Sequence, residues 1–105
     1  MSSDRFDACV VAGRRAVAVA DADLVAVGEM GIGSTTTAAA VSAALFGGPV
    51  HSWVGRGSGI DDPTLERKTG AVARAVCPHR RGNRPFEILQ RVGGAELAAI
   101  AGAIV

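Results

Sequence analysis

The sequence predicts an α/β fold, a slice of a parallel-sheet domain that is mostly helical, with one clear strand at about residues 24–28. Three observations carry this. Leu24-Val25-Ala26-Val27 is a continuous apolar run, the pattern of a strand buried on both faces of a parallel sheet. It runs directly into the glycine-rich stretch Gly28-Glu29-Met30-Gly31-Ile32-Gly33. From Ser34 onward, Thr35-Thr36-Thr37 and the alanine-rich run to Leu45 read as a helix, so strand, loop and helix start follow one another without a gap.

The remaining elements follow in chain order. Phe6 to Ala20 reads as an amphipathic helix with Phe6, Val10, Gly13 and Val17 on one stripe and Arg14 and Arg15 off it. Asp21 and Asp23 punctuate before the strand. The helix from Ser34 ends at Phe46, because Gly47-Gly48-Pro49 supplies a C-terminal glycine and a proline stop. Val50 to Val54 is too short for a firm assignment, either a strand or a lead-in to the second glycine-rich stretch, Gly55-Arg56-Gly57-Ser58-Gly59. Asp62 caps a helix that begins at Pro63 and runs to about Val76, before Cys77-Pro78. A polar loop from His79 to Arg84 follows. Pro85 then opens a short helix to Val92, Gly93-Gly94 breaks it, and a last helix carries Leu97, Ile100 and Ile104 on one side. One strand without a partner strand leaves its backbone N–H and C=O groups unanswered, which is costly when buried. The chain therefore reads as part of a larger α/β domain, or as one that finds its missing strands in another copy.

Composition narrows the function classes. The chain has 105 residues, with 11 Lys and Arg against 10 Asp and Glu. A formal charge of +1 creates no global field that would select nucleic acid or an anionic membrane. Arg80, Arg81 and Arg84 lie in a short loop without neighbouring aromatic residues and read as a solvated surface. No signal peptide or membrane-spanning run is evident, so a cytoplasmic protein is expected. Cys9 and Cys77 lack metal-ligand spacing and are expected to be small core residues; His51 and His79 have no Cys-x-x-Cys partner, and no metal site is expected.

Chemistry concentrates in the first glycine-rich stretch. N–H groups at a helix start point outward and the helix dipole favours negative charge there, so this is an anion trap. Gly31 and Gly33 let a ligand approach the backbone, while Ser34 or Thr35 can cap the helix or turn a hydroxyl to the anion. The bland alternative is a tight turn with no ligand. A P-loop is excluded because Ser34 stands where G-x-x-x-x-G-K-[ST] requires lysine, and the dinucleotide fingerprint G-x-G-x-x-G fails at Thr36. Glu29 at the lip does not help to hold a phosphate and is expected to face another part of a ligand. Met30 beside it can line an apolar slot for a flat aromatic base, or simply pack in the core. Lys68 is the only lysine in the chain, and it shares the stripe Leu65, Lys68, Val72 and Val76, so it either snorkels or answers a partner. Arg56 can pair with a phosphate or with Asp61.

Gly28 to Gly33, the threonine-rich helix start, and Val54-Gly55-Arg56-Gly57-Ser58-Gly59-Ile60-Asp61-Asp62 resemble the nicotinate-nucleotide–dimethylbenzimidazole phosphoribosyltransferase family. So do Pro85-Phe86-Glu87-Ile88-Leu89 and Val92 to Ala98. The resemblance covers nearly the whole chain; Ser34 departs from it, since the family usually has asparagine there. It implies a Rossmann-like parallel sheet, a small helical domain and a homodimer in an enzyme considerably longer than this chain. Residues 1–105 would then form a partial nucleotide-phosphate-binding domain without the family's N-terminal and C-terminal regions. The implied reaction is phosphoribosyl transfer from nicotinate mononucleotide to dimethylbenzimidazole, giving alpha-ribazole phosphate for the lower ligand of cobalamin, with no cofactor. Gly31, Gly33, Ser34, Thr35 and Lys68 would hold the phosphate, with Met30, Gly57 and Ser58 as further substrate contacts and Glu29 in a supporting catalytic role. The family's general base, a glutamate near the C-terminus of the full-length enzyme, has no counterpart here. The 105-residue chain alone is accordingly expected to be inactive, and the competing reading is a catalytically incomplete nucleotide-phosphate-binding or assembly module.

Overall fold

The computed structural model describes residues 1–79 and 84–105, and its regular structure is helical. Helices α1 (Ser3–Ala18), α2 (Ser34–Phe46), α3 (Asp62–Val76), α4 (Pro85–Val92) and α5 (Ala95–Ile104) are joined by short 3-10 turns at Val50–Ser52 and Cys77–His79. Arg80, Arg81 and the centre of the polar loop lie outside the described residues.

Each helix has a local reason to start where it does. The Ser2 hydroxyl accepts the Arg5 N–H and caps α1. Asp61, not the expected Asp62, caps α3: its Oδ1 accepts the Thr64 N–H at 3.0 Å, which puts Pro63 second in the helix rather than first. Gly33 is the N-cap of α2, with φ of 84° and no side chain to bond the first turn, so neither Ser34 nor Thr35 fills that role. Gly47 ends α2 at φ 73°, and the Trp53 indole N–H reaches back to the Gly47 carbonyl at 2.8 Å while its ring stacks on Phe46.

Small residues set the packing. Ala39, Ala40, Ala43 and Ala44 turn one face of α2 toward Val72 and Val76 of α3 and Ile88 of α4, and these seven side chains form the main core. On the other side α1 lies directly on α5. A Cβ on Gly13 would stand 1.8 Å from the Ala99 carbonyl oxygen, and one on Gly102 would stand 2.0 Å from that of Val10, so the two backbones touch through a reciprocal pair of glycines. The buried face of α5 is thus Ala98 and Gly102, not the expected stripe, and Ile104 is exposed. Phe6 meets Phe86 edge to face and ties α1 to α4. Cys9 is half-buried and Cys77 is exposed, which corrects the expectation that Cys77 is a core residue.

The α/β expectation, and the Rossmann-like sheet with it, is overturned for this chain: among the described residues there is no strand, and residues 24–28 have no regular structure. The physical reason is the one that made a lone strand costly. No second strand is present to answer its backbone groups, so the run stays at the surface with Leu24 88% exposed. Val25 and Val27 are exposed too, and Met30 and Ile32 are fully so. The radius of gyration, 14.7 Å, exceeds the roughly 13 Å of a compact chain of this length, in keeping with extents of 45 × 32 × 21 Å.

Candidate functional site

Two glycine-rich loops and one face of α3 meet around an open depression of about 390 Å³. Gly33, Thr35 and Thr36 come from the N-terminus of α2, and Arg56, Gly57, Ser58 and Ile60 from the second loop. Helix α3 contributes Thr64, Arg67, Lys68 and Ala71, at i, i+3, i+4 and i+7 along one face. Lys68 joins the three. Its ammonium donates to the Thr35 hydroxyl and to the Gly55 carbonyl, both at 2.9 Å, so a half-buried lysine finds one partner in the first turn of α2 and one on the second loop. Gly57 lies against this pair at φ 56°, where a Cβ would stand 3.5 Å from Thr35 Oγ1 and 3.8 Å from Lys68 Nζ.

The electrostatics of the depression favour an anion. Lys68, Arg56 and Arg67 line it, and no carboxylate is among the residues that do. At the start of α2, the Ser34 and Thr36 N–H groups turn back to the Gly31 and Gly33 carbonyls, while the Thr35 N–H has no backbone partner among the described residues. That free donor lies at the positive end of the helix dipole, on a residue that lines the depression. Arg67 is steadied by a 2.8 Å bond to the Thr64 hydroxyl, and Arg56 pairs with Asp62 rather than with Asp61.

Of the residues singled out from the sequence, Gly33, Thr35, Gly57, Ser58 and Lys68 come together here. Glu29, Met30 and Gly31 do not. They line a second, mostly apolar depression of about 480 Å³ that runs along α1 and α5 and includes Val25, Val27 and Glu96. Glu29 closes onto its own loop: its Oε2 accepts the Gly31 N–H at 2.6 Å. The Ser34 side chain and that N–H hold its carboxyl below the usual carboxylate range. Ser34 is buried at the base of α2, where its carbonyl accepts the Thr37 hydroxyl at 2.8 Å, and it lines neither depression. Arg67 reads from the sequence as lying off the apolar stripe and Thr64 carries no signal of its own; the available one was the i, i+3 and i+4 spacing of Thr64, Arg67 and Lys68.

The residues that meet here form an open depression, lined by three cationic side chains, at the N-terminus of a helix. A family model described as phosphoribosyltransferase matches residues 1–105, and the chain belongs to that family. Curated relatives named nicotinate-nucleotide–dimethylbenzimidazole phosphoribosyltransferase are similar to it. The Cereibacter sphaeroides protein is 52% identical over 105 residues, 99% of this chain and 31% of its own length. The Methylorubrum extorquens protein is 52% identical over 91 residues, 85% of this chain and 27% of its own. The Methylocella silvestris protein is 55% identical over 84 residues, 79% of this chain and 25% of its own. The chain therefore spans about a third or less of the length of the relatives it matches. No solved structure matches it significantly. Among the described residues no helix is long and apolar enough to cross a membrane, and no three His, Cys, Asp or Glu side chains cluster.

Proposed function

We propose that the depression between the two glycine loops holds the phosphate of nicotinate mononucleotide. In this reading the protein to which the chain belongs transfers the phosphoribosyl group to dimethylbenzimidazole. The C1′–N bond to nicotinate breaks and nicotinate leaves with the electron pair. The unprotonated ring nitrogen of dimethylbenzimidazole attacks C1′ from the opposite face with its lone pair, and the proton on the other ring nitrogen passes to a base, giving alpha-ribazole phosphate for the lower ligand of cobalamin. The observation that carries the reading is Lys68, whose ammonium is held between Thr35 and Gly55 at the junction of both loops. The names of the relatives support the substrates.

Within this reading Thr35, Gly33, Gly57 and Ser58 fit the phosphate with backbone and hydroxyl donors, and Lys68 and Arg67 supply charge. Glu29 fits an electrostatic role beside the developing positive charge at the anomeric carbon. A carboxyl held below its usual pKa range is a poor general base near neutral pH, where the best catalytic base titrates. Gly31 and Met30 then belong to the neighbouring apolar depression on the side of the base, and Ser34 supports the loop from beneath through Glu29. The proposal includes a cytoplasmic setting and self-association into a homo-oligomer, the latter supported by the exposed apolar run from Leu24 to Ile32. That run, together with the chain's span of about a third of its relatives, also supports the second reading, in which this chain acts as a nucleotide-phosphate-binding or assembly module.

Calorimetry on the 105-residue chain tests the shared core of both readings. Lys68→Ala is expected to weaken nicotinate mononucleotide by about 1.5–3 kcal/mol, the worth of a hydrogen bond to a charged group, and to leave nicotinate unaffected. Equal affinity for the nucleotide in wild type and variant would overturn the phosphate assignment.

A further inference from the structure

We propose that Arg56 is a positioning residue for the substrate phosphate, acting through Asp62 to fix the second glycine loop rather than as a phosphate ligand itself. The proposal rests on the phosphate reading of the depression. Arg56 lines that depression, and a guanidinium beside a phosphate-sized pocket is ordinarily taken for a ligand. Its bonds point elsewhere. One terminal nitrogen donates to the Ile60 carbonyl at 2.8 Å and the other pairs with the Asp62 carboxylate. Its own carbonyl accepts the N–H groups of Gly59 at 3.1 Å and Ile60 at 3.2 Å. Main chain and side chain of one residue therefore close residues 56–62 into a ring anchored on the first turn of α3.

The ring matters because of what it contains. Gly57 and Gly59 sit at φ 56° and 98°, a region that glycine enters freely and that has no side-chain contacts to hold it. Two such glycines around Ser58 make a loop with many alternatives unless something outside them fixes the ends. Arg56 and Asp62 supply that closure at the two ends, and Gly57 is thereby held beside the Thr35–Lys68 pair, where a Cβ would be in ordinary van der Waals contact with both. Asp62 is the anchor because it belongs to α3, the helix that also carries Lys68.

The two roles predict opposite signs for one substitution. If Arg56 were a phosphate ligand restrained by Asp62, Asp62→Asn would release its charge and tighten phosphate. As a positioning residue it predicts that Asp62→Asn loosens the ring and weakens phosphate, although a negative charge has been removed beside the pocket. Inorganic phosphate and nicotinate mononucleotide are titrated into the full 105-residue chain, with helix content checked by circular dichroism and amide exchange read at Gly59 and Ile60. Arg56→Ala and Asp62→Asn should each weaken both ligands by about three- to tenfold, of which tenfold equals 1.4 kcal/mol. Arg56→Lys should recover part of the loss, and exchange at Gly59 and Ile60 should quicken in the Ala and Asn variants alike. Unchanged or tighter phosphate binding in Asp62→Asn, or unchanged exchange at both amides, overturns the proposal. The parent reading fails separately: if wild type and Lys68→Ala bind phosphate equally, the pocket assignment falls, and the exchange rates in Asp62→Asn still decide whether Arg56 shapes the loop.

Discussion

The two glycine-rich loops look alike in sequence and behave differently in the fold. Each precedes a helix, and each mixes glycines with charge, Glu29 in the first and Arg56 and Asp61 in the second. The second, from Gly55 to Asp61, is answered locally: Arg56 bonds Ile60 and Asp62, Asp61 caps α3, and Lys68 accepts no freedom because Gly55 and Thr35 hold it. The first, from Leu24 to Gly33, has the Glu29–Gly31 bond and little else, and its apolar side chains face solvent. The difference teaches that a loop satisfied by side chains within reach forms in this chain by itself. A stretch whose backbone groups need a neighbouring strand does not.

The comparison breaks most sharply when support is removed from beneath one loop. The first loop shares its depression with α1 and α5, which meet through Gly13 and Gly102. Gly13→Val puts a branched side chain where a Cβ alone would already lie 1.8 Å from the Ala99 carbonyl oxygen. No rotamer escapes that contact, so the helices must part, at a cost of about 3 kcal/mol in chemical denaturation. The second loop, seated on α2 and α3, should keep its Lys68-dependent phosphate binding wherever the variant remains folded. A loss of less than 1 kcal/mol, or roughly the floor of overpacking, would show that the two helices do not touch as described.

A smaller effect separates the loops by function. Gly57→Ala forces a side chain into left-handed backbone beside Lys68 and should weaken nicotinate mononucleotide by about 1–2 kcal/mol, the cost of holding an L-residue there. Gly31 lies outside the left-handed region, and its new Cβ would be crowded by the Glu29 carboxylate alone, at 2.9 Å, the movable end of a side chain, with Ser34 Cβ at an ordinary 3.7 Å. Gly31→Ala should therefore displace Glu29 and alter nucleotide binding less than Gly57→Ala does. Calorimetry with the two variants side by side decides it, and the reverse order would move the phosphate to the first loop.

What was legible in the sequence follows the same line. The helices from Ser34 to Phe46 and Pro85 to Val92 could be read to the residue, because glycine and proline mark their ends. Lys68 was legible as a cation on an apolar stripe, and the family resemblance gave it a role. The strand expected at residues 24–28 is absent among the described residues. Leu24 to Val27 has the composition of a buried strand, yet composition does not supply the neighbour that pairing requires. The close contact of α1 with α5 was hidden for a different reason. Hydrophobic periodicity looks for large side chains, and here Gly13, Ala98 and Gly102 are buried because they are small. The capping residue was missed by one position, since Asp61 and Asp62 are chemically the same and only the turn geometry chooses between them.

Leu24→Asp is expected to change folding stability by no more than about 0.5 kcal/mol, as for an exposed position without partners, and to reduce self-association in sedimentation. The second loop provides the control, because Ser58→Asp lies away from the apolar run and should leave sedimentation unaltered. Equal sedimentation of wild type and Leu24→Asp over a wide concentration range would show that the exposed run does not drive self-association.

The finest distinction is in pH, because each loop contains one carboxylate whose pKa is depressed. The Ser34 side chain and the Gly31 N–H lower that of Glu29, and the Thr64 side chain and N–H lower that of Asp61. A folded state that binds protons less tightly than the unfolded one gains stability as pH rises. The contribution of each group is therefore complete above the ordinary carboxylate range, roughly pH 4, and is lost as pH falls below it through the depressed folded value. Both groups are exposed, so the global effect is small and the local one is informative. Protonating Asp61 releases the cap of α3, the helix that carries Thr64, Arg67 and Lys68, whereas protonating Glu29 frees only Gly31 and Ser34. The Thr64 and Gly31 amide resonances should each titrate below the ordinary value, with fraying of the first turn of α3 accompanying the Thr64 transition alone. Asp61→Asn keeps a good neutral cap and should abolish that transition without unwinding the helix. A Thr64 amide that titrates at the ordinary aspartate value, or that still titrates in Asp61→Asn, would show that the cap does not anchor the second loop.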